Sequence, residues 1–160
     1  MSGLRASEFG DLLFVDHCEV SIQKVKCNVF LTLDAATSLL WSTVQKNREA
    51  ETTVEAIREW MDTHSCVPKS ICADMAFQTP EFKRFYIFHK INPIATGPRT
   101  PWPNRAESAV RLFKKTFKIL VKSMKDLPDD SRLSGDKNTL SPTVGLLLLC
   151  FIPKMLTLMS

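Results

Sequence analysis

The sequence predicts an α/β layer fold with the element order βββαβαβα. Three observations carry this. Three apolar runs follow closely on one another between Leu12 and Val44, the spacing of an antiparallel meander. Two amphipathic stretches then alternate with two more apolar runs, and a long amphipathic stretch from about Asn104 to Met124 closes the pattern.

The first run, Leu12 to Val15, reads as a buried strand ending at Asp16. Asn28 to Leu33 reads as a second, ending at Asp34, and Ser38 to Val44 as a third with Trp41 inside it. Glu51 to His64 places Val54, Ile57 and Met61 at helical spacing, with Glu55, Arg58 and Glu59 on the other face. Ser70 to Ala73 is a fourth strand, followed by Asp74. Thr79, Pro80 and Glu81 form a helix start, with a capping residue, a first-turn proline and an acid. That helix reaches about His89, and Ile91 to Ala95 gives a fifth strand. A proline-rich loop holding Trp102 leads into the last helix, where Ala106, Val110, Phe113, Phe117 and Leu120 mark the apolar stripe. Trp102 is expected to plug that loop rather than stack on a base.

With 160 residues, 44% of them hydrophobic and 24% charged, the chain has enough apolar content for one packed core, which excludes a long disordered protein. The expected organisation is a flexible lead over 1–9, a core domain over 10–127 and a divergent tail over 128–160. The apolar segment 144–152 of that tail is too short to cross a bilayer as a helix. The net charge of +4 is compatible with a nucleic-acid partner but weak alone. None of the five cysteines are paired as C-x-x-C, and the three histidines complete no zinc spacing. Charged Arg5 and Glu8 precede any apolar run, so no secretory signal is expected, and the cysteines read as reduced core thiols of an intracellular protein.

Three acids stand out by position. Asp16 and Asp74 each follow an apolar run, and Glu107 lies in the first turn of the last helix. Carboxylates at such places can converge at one sheet edge, and hard divalent ions take oxygen ligands. Each acid alone is commonly a turn or helix-start residue, as Asp34 is expected to be.

The words around the three acids decide between those readings. "LLFVDHCEV", "VFLTLDAATSLLW", "TTVEAIREWMDTHSCVPKSICADMAFQTPEF" and "GPRTPWPNRAESAVRLFKKTFKIL" together resemble the catalytic core of retroviral and gypsy-type LTR-retrotransposon integrases, from Gly10 to about Leu120. The 33 positions between Asp74 and Glu107 are close to that family's spacing. The resemblance implies a ribonuclease H-like fold, a five-stranded mixed sheet with helices on both faces. It implies Asp16, Asp74 and Glu107 as the Asp-Asp-Glu ligands of a two-metal site taking Mg2+ or Mn2+. The implied chemistry is DNA 3′-end processing and strand transfer, without a small-molecule cofactor or a membrane. It also implies DNA as partner, a homodimer or higher oligomer, and a nuclear location when acting on DNA. Where the family usually has asparagine then glycine after the second aspartate, this chain has Met75 and Ala76, and glycine reaches backbone angles that alanine tolerates poorly. Beyond Leu127 the match ends.

Arg111, Lys114, Lys118 and Lys122 share one helix face with Glu107. With Asn104 and Arg105, the first three of these are the expected DNA contacts, although a lysine stripe is often only a solvated face. His17 is expected on the strand face opposite Asp16, and His64 and His89 at helix C-termini. Two other readings stay open. One is a catalytically silent DNA-binding or protein-interaction remnant, which Met75 and Ala76 favour. The other is a ribonuclease H-type nuclease, for which no fourth carboxylate stands out.

Overall fold

The structure, a computed structural model, describes residues 6–22, 25–96 and 105–125. Strands β1 (Leu13–Ile22), β2 (Val25–Asp34) and β3 (Leu40–Gln45) form the antiparallel meander. Helix α1 (Ala50–His64) leads to β4 (Ser70–Ala73), a 3-10 turn (Met75–Gln78), helix α2 (Pro80–His89) and β5 (Asn92–Ala95). Helix α3 (Arg105–Lys125) follows. One mixed sheet results, in the order β3-β2-β1-β4-β5, with β4 parallel to β1 and β5 parallel to β4. Pro93 lies in β5, an edge strand, where a missing backbone donor is tolerated.

The pleat sorts β1 into two faces. Leu13 and Val15 join Phe30, Ile57, Trp60, Phe82 and Tyr86 beneath α1 and α2. Cys18 and Val20 join Val29, Leu31, Phe113 and Phe117 beneath α3, and Leu12, Phe14 and Cys72 form a smaller cluster. Helices therefore cover both faces, as expected.

Strand β1 runs six residues past Asp16, so this aspartate sits within a strand rather than at its end. The polar letters after Val15 are half of an alternation: Cys18 and Val20 are buried, while Glu19 and Ser21 are exposed. Strand β3 begins at Leu40 rather than Ser38, because Ser38 takes a left-handed φ of 60° in the hairpin turn. Asp34, 1% exposed, holds that turn by accepting from the Thr37 N–H at 2.8 Å and its hydroxyl at 2.7 Å, and it also accepts from the Gly10 N–H at 2.9 Å.

Ahead of β1, Phe9 stacks on Trp60 with ring centroids 5.6 Å apart, so this end of the expected flexible lead packs on the core. Asp11 accepts from the Ser7 and Glu8 amides and pairs with Lys69 at 2.7 Å, a charge that holds its carboxyl well below the usual range. Gly10 has φ +83°, and a Cβ there would run into Cys66 Sγ. Gly10→Ala is therefore expected to destabilise the fold by about 1–2 kcal/mol through the left-handed backbone, before the clash is counted. Urea denaturation would read this, and an unchanged midpoint would contradict it.

Among the described residues no helix is long and apolar enough to cross a membrane. The expectations for Asn104, Trp102 and the tail with its apolar segment 144–152 fall outside the described residues.

Candidate active site

The parallel ladder between β1 and β4 aligns two of the three carboxylates. Leu13 pairs with Ile71, and Phe14 with Cys72. Continued two residues, along β1 and just past the end of β4, that register points Asp16 toward the level of Asp74. Phe14 and Cys72 share a cluster on one face, and period-2 alternation returns Asp16 and Asp74 to the same face. Just past the end of β4 the two acids are close enough for the charge of Asp74 to act on Asp16.

Asp74 follows Ala73 with extended angles, φ −73° and ψ 179°, and begins the 3-10 turn. Its Oδ1 accepts from the Ala76 N–H at 2.9 Å. Met75 and Ala76 are not among the positive-φ residues, so the turn uses backbone that any residue adopts and needs no glycine.

Asp16 is half-buried between Phe14 and Cys18 on its face of β1. Burial holds its carboxyl above the usual range; the His17 N–H, donating to Asp16 Oδ1 at 2.7 Å, opposes this, and the charge of Asp74 adds to it. Arg48 and Lys114 act on Asp16 in the stabilising direction. Arg48 lies between β3 and α1 and donates to Asn28 Oδ1 at 3.0 Å. Sequence reasoning missed Arg48, since no periodicity or motif marks it.

Glu107 lies exposed in the first turn of α3. The three acids do not form one cluster: among the described residues no group of three or more histidine, cysteine, aspartate or glutamate side chains is gathered to hold a metal ion. Asp74 lies close enough for its charge to act on Asp16, and Glu107 stands on a separate element, α3. The stripe of Arg111, Lys114, Lys118 and Lys122 is exposed along α3, and Lys114 is the member whose charge reaches Asp16. Arg105 donates to the Ala35 carbonyl at 3.2 Å, which ties the start of α3 to the turn after β2.

His17 lies on the face opposite Asp16, as expected, sharing a hydrogen bond with Thr53 Oγ1 at 3.0 Å. Burial, then Arg48, holds its imidazole below the usual range. His64 and His89 occupy the last turns of α1 and α2. Burial pushes the Cys18 thiol up to about 11, so it stays a neutral core group.

Sheet order and helices on both faces define a ribonuclease H-like fold, the fold of integrase catalytic cores. Solved structures agree. The chain matches the simian T-cell lymphotropic virus intasome, solved in complex with PP2A regulatory subunit B56 gamma, with TM-score 0.66 and 17% identity over 90% of this chain. It spans only 49% of that intasome chain. It matches the HTLV-2 integrase catalytic core domain in complex with magnesium, dimeric form, with TM-score 0.64 and 16% identity over 88% of this chain and 85% of that one. The trimeric form gives TM-score 0.59 and 17% identity, covering 84% of this chain and 90% of that one. No family model and no curated protein matches the sequence.

Proposed function

We propose that this chain is an integrase-like core domain, a metal-dependent polynucleotidyl transferase acting on DNA. The observation that carries the reading is the Asp16–Asp74 pair: one carboxylate half-buried within β1, the other just past the end of the parallel β4, near enough for its charge to act on the first. A half-buried ionised carboxylate beside another is unfavourable until a cation joins it. The donor set fits Mg2+ or Mn2+, both of which favour carboxylate oxygens. The magnesium in the HTLV-2 core supports the same choice.

In this reading Asp16 and Asp74 hold the cation and Glu107 is the third ligand. When bound, a cation pair activates the attacking oxygen and neutralises charge on the phosphoryl group and leaving oxygen. The chain's own side chains position DNA. Lys114 and Arg111 contact phosphates beside the carboxylates, with Lys118 further along the stripe, Arg105 at the helix start and Asn104, its neighbour in sequence, as a further contact. The products would be a trimmed 3′ end and its joining to target DNA. The dimeric and trimeric forms of the HTLV-2 core and the intasome support self-association for this chain. Work on chromosomal DNA implies a nuclear location.

Met75 and Ala76, directly after Asp74, favour a second reading, a catalytically silent DNA-binding remnant. Calorimetric titration of Mn2+ into the full chain, beside Asp74→Asn, separates the two. Saturable binding that Asp74→Asn removes, followed by joining of a labelled DNA end, supports the enzyme. A folded chain that takes up no Mn2+ overturns it in favour of the remnant.

Lys114→Ala is expected to weaken DNA binding similarly for all sequences. It should also reduce the slope of log affinity against log salt by about 1, the signature of one lost phosphate contact. Fluorescence anisotropy at several salt concentrations measures this, and an unchanged slope would make Lys114 a solvated surface lysine.

A further inference from the structure

We propose that His17 is a positioning residue for the Asp16–Asp74 pair, acting through a ring stack on Phe77. The proposal rests on the carboxylate reading given above. The ladder joining β1 to β4 is two pairs long and stops at Phe14 and Cys72, before either aspartate. Beyond it, side chains must hold the two segments in register.

His17 directly follows Asp16, and Phe77 belongs to the 3-10 turn that begins on Asp74. Their rings stack with centroids 5.1 Å apart and planes 18° from parallel. One contact on the α1 and α2 side of the sheet thus joins the segments whose carboxylates share the opposite side.

Both rings are fixed from elsewhere, so the stack can transmit position. His17 is held by Thr53, a residue with no exposed surface, and by Phe30 at 5.5 Å. Phe77 is 2% exposed, lies against Phe30 and Phe82 with centroids 6.3 and 5.3 Å away, and its carbonyl accepts from the Tyr86 hydroxyl at 3.4 Å. By contrast, the Ala76 and Phe77 N–H groups bond only back to Asp74, within the turn itself. Those local bonds shape the turn but do not fix its place relative to β1. Groups that orient metal ligands from behind commonly change metal affinity 10- to 100-fold when removed.

Simple core filling makes a different demand: a leucine of similar bulk would serve as well as a ring. The test compares His17→Phe/Thr53→Val with His17→Leu/Thr53→Val in the full chain. Both lose the same hydrogen bonds, those joining His17, Thr53 and Gln45, without leaving a buried hydroxyl unpaired, and they differ only in the ring. Amide hydrogen exchange at Ala76 and Phe77 reports the turn without any metal, and Mn2+ calorimetry reports the pair. The phenylalanine variant is expected to keep the parent's exchange and Mn2+ affinity. The leucine variant should exchange faster at both amides and bind Mn2+ about tenfold more weakly. Equal exchange in the two variants overturns the proposal, as does faster exchange with unaltered Mn2+ affinity. A parent chain that binds no Mn2+ overturns the carboxylate reading instead, and amide exchange alone then decides whether the stack holds the turn. If the leucine variant does not fold, Phe77→Leu breaks the stack from the other side and is expected to give the same two losses.

Discussion

Asp16→Asn is expected to melt at a higher temperature than the parent chain without divalent cation, and to lose all stabilisation by Mn2+. The first half follows from burial. The raised value belongs to the folded state, so the folded chain binds the Asp16 proton more tightly than the unfolded chain, whose ordinary value is 3.8. The ionised carboxyl therefore lowers stability fully above the folded value. That cost fades as the pH falls through the folded value toward 3.8, so the variant's advantage should shrink in acid. Asparagine keeps an Oδ1 to accept from the His17 N–H, so the local bond survives. The second half follows from linkage. A cation at one hundred times its dissociation constant stabilises the folded chain by about 2.7 kcal/mol. Each kcal/mol moves the midpoint of a chain this size by about 2–4 °C. Thermal melts with and without Mn2+ at pH 7, and without it in steps down toward pH 3.8, show both effects. A variant less stable than the parent would make Asp16 a structural carboxylate, and Mn2+ stabilisation that survives the substitution would move the cation elsewhere.

Phe113→Ala is expected to lower stability by about 3–5 kcal/mol. Phe113 is 1% exposed and packs against Cys18, Val20, Val29 and Leu31. Its ring also stacks on Phe117, with centroids 5.9 Å apart. Among the described residues no other helix contributes to that cluster, so the cavity opens where α3 docks on the sheet. Domain stability is typically about 5–15 kcal/mol, so this loss is a large fraction of it. Phe113→Leu, which keeps most of the volume, should cost less than about 1.5 kcal/mol. Urea denaturation followed by circular dichroism separates them. A loss below about 1 kcal/mol for the alanine variant would mean that α3 does not rest on that face. The same docking carries Glu107 and Lys114, so the alanine variant should also bind DNA more weakly.

The reading of the helices and of β4 succeeded because their signals are local. Apolar spacing, the Thr79-Pro80-Glu81 start and the Ser70 to Ala73 run lie within a few residues of the features they specify. Strand β1 was misjudged for a reason visible in its own letters. Its second half buries only one face, and His17, Glu19 and Ser21 disguise the strand. The loop after Asp74 was judged by comparison with a glycine-bearing turn, whereas this chain builds a 3-10 turn that Met75 and Ala76 adopt without strain.

By itself the sequence determined the α/β class, the element order and the three acids worth watching, because periodicity and motif spacing are written along the chain. Only the tertiary structure decided how those acids stand to one another. The pairing of Leu13 and Phe14 with Ile71 and Cys72 brings Asp16 near Asp74 across 58 positions, while Glu107 stands on a separate helix. The His17–Phe77 stack and the reach of Arg48 and Lys114 toward Asp16 were decided there too. Such contacts depend on how sheet and helices pack, and no local pattern of residues encodes them.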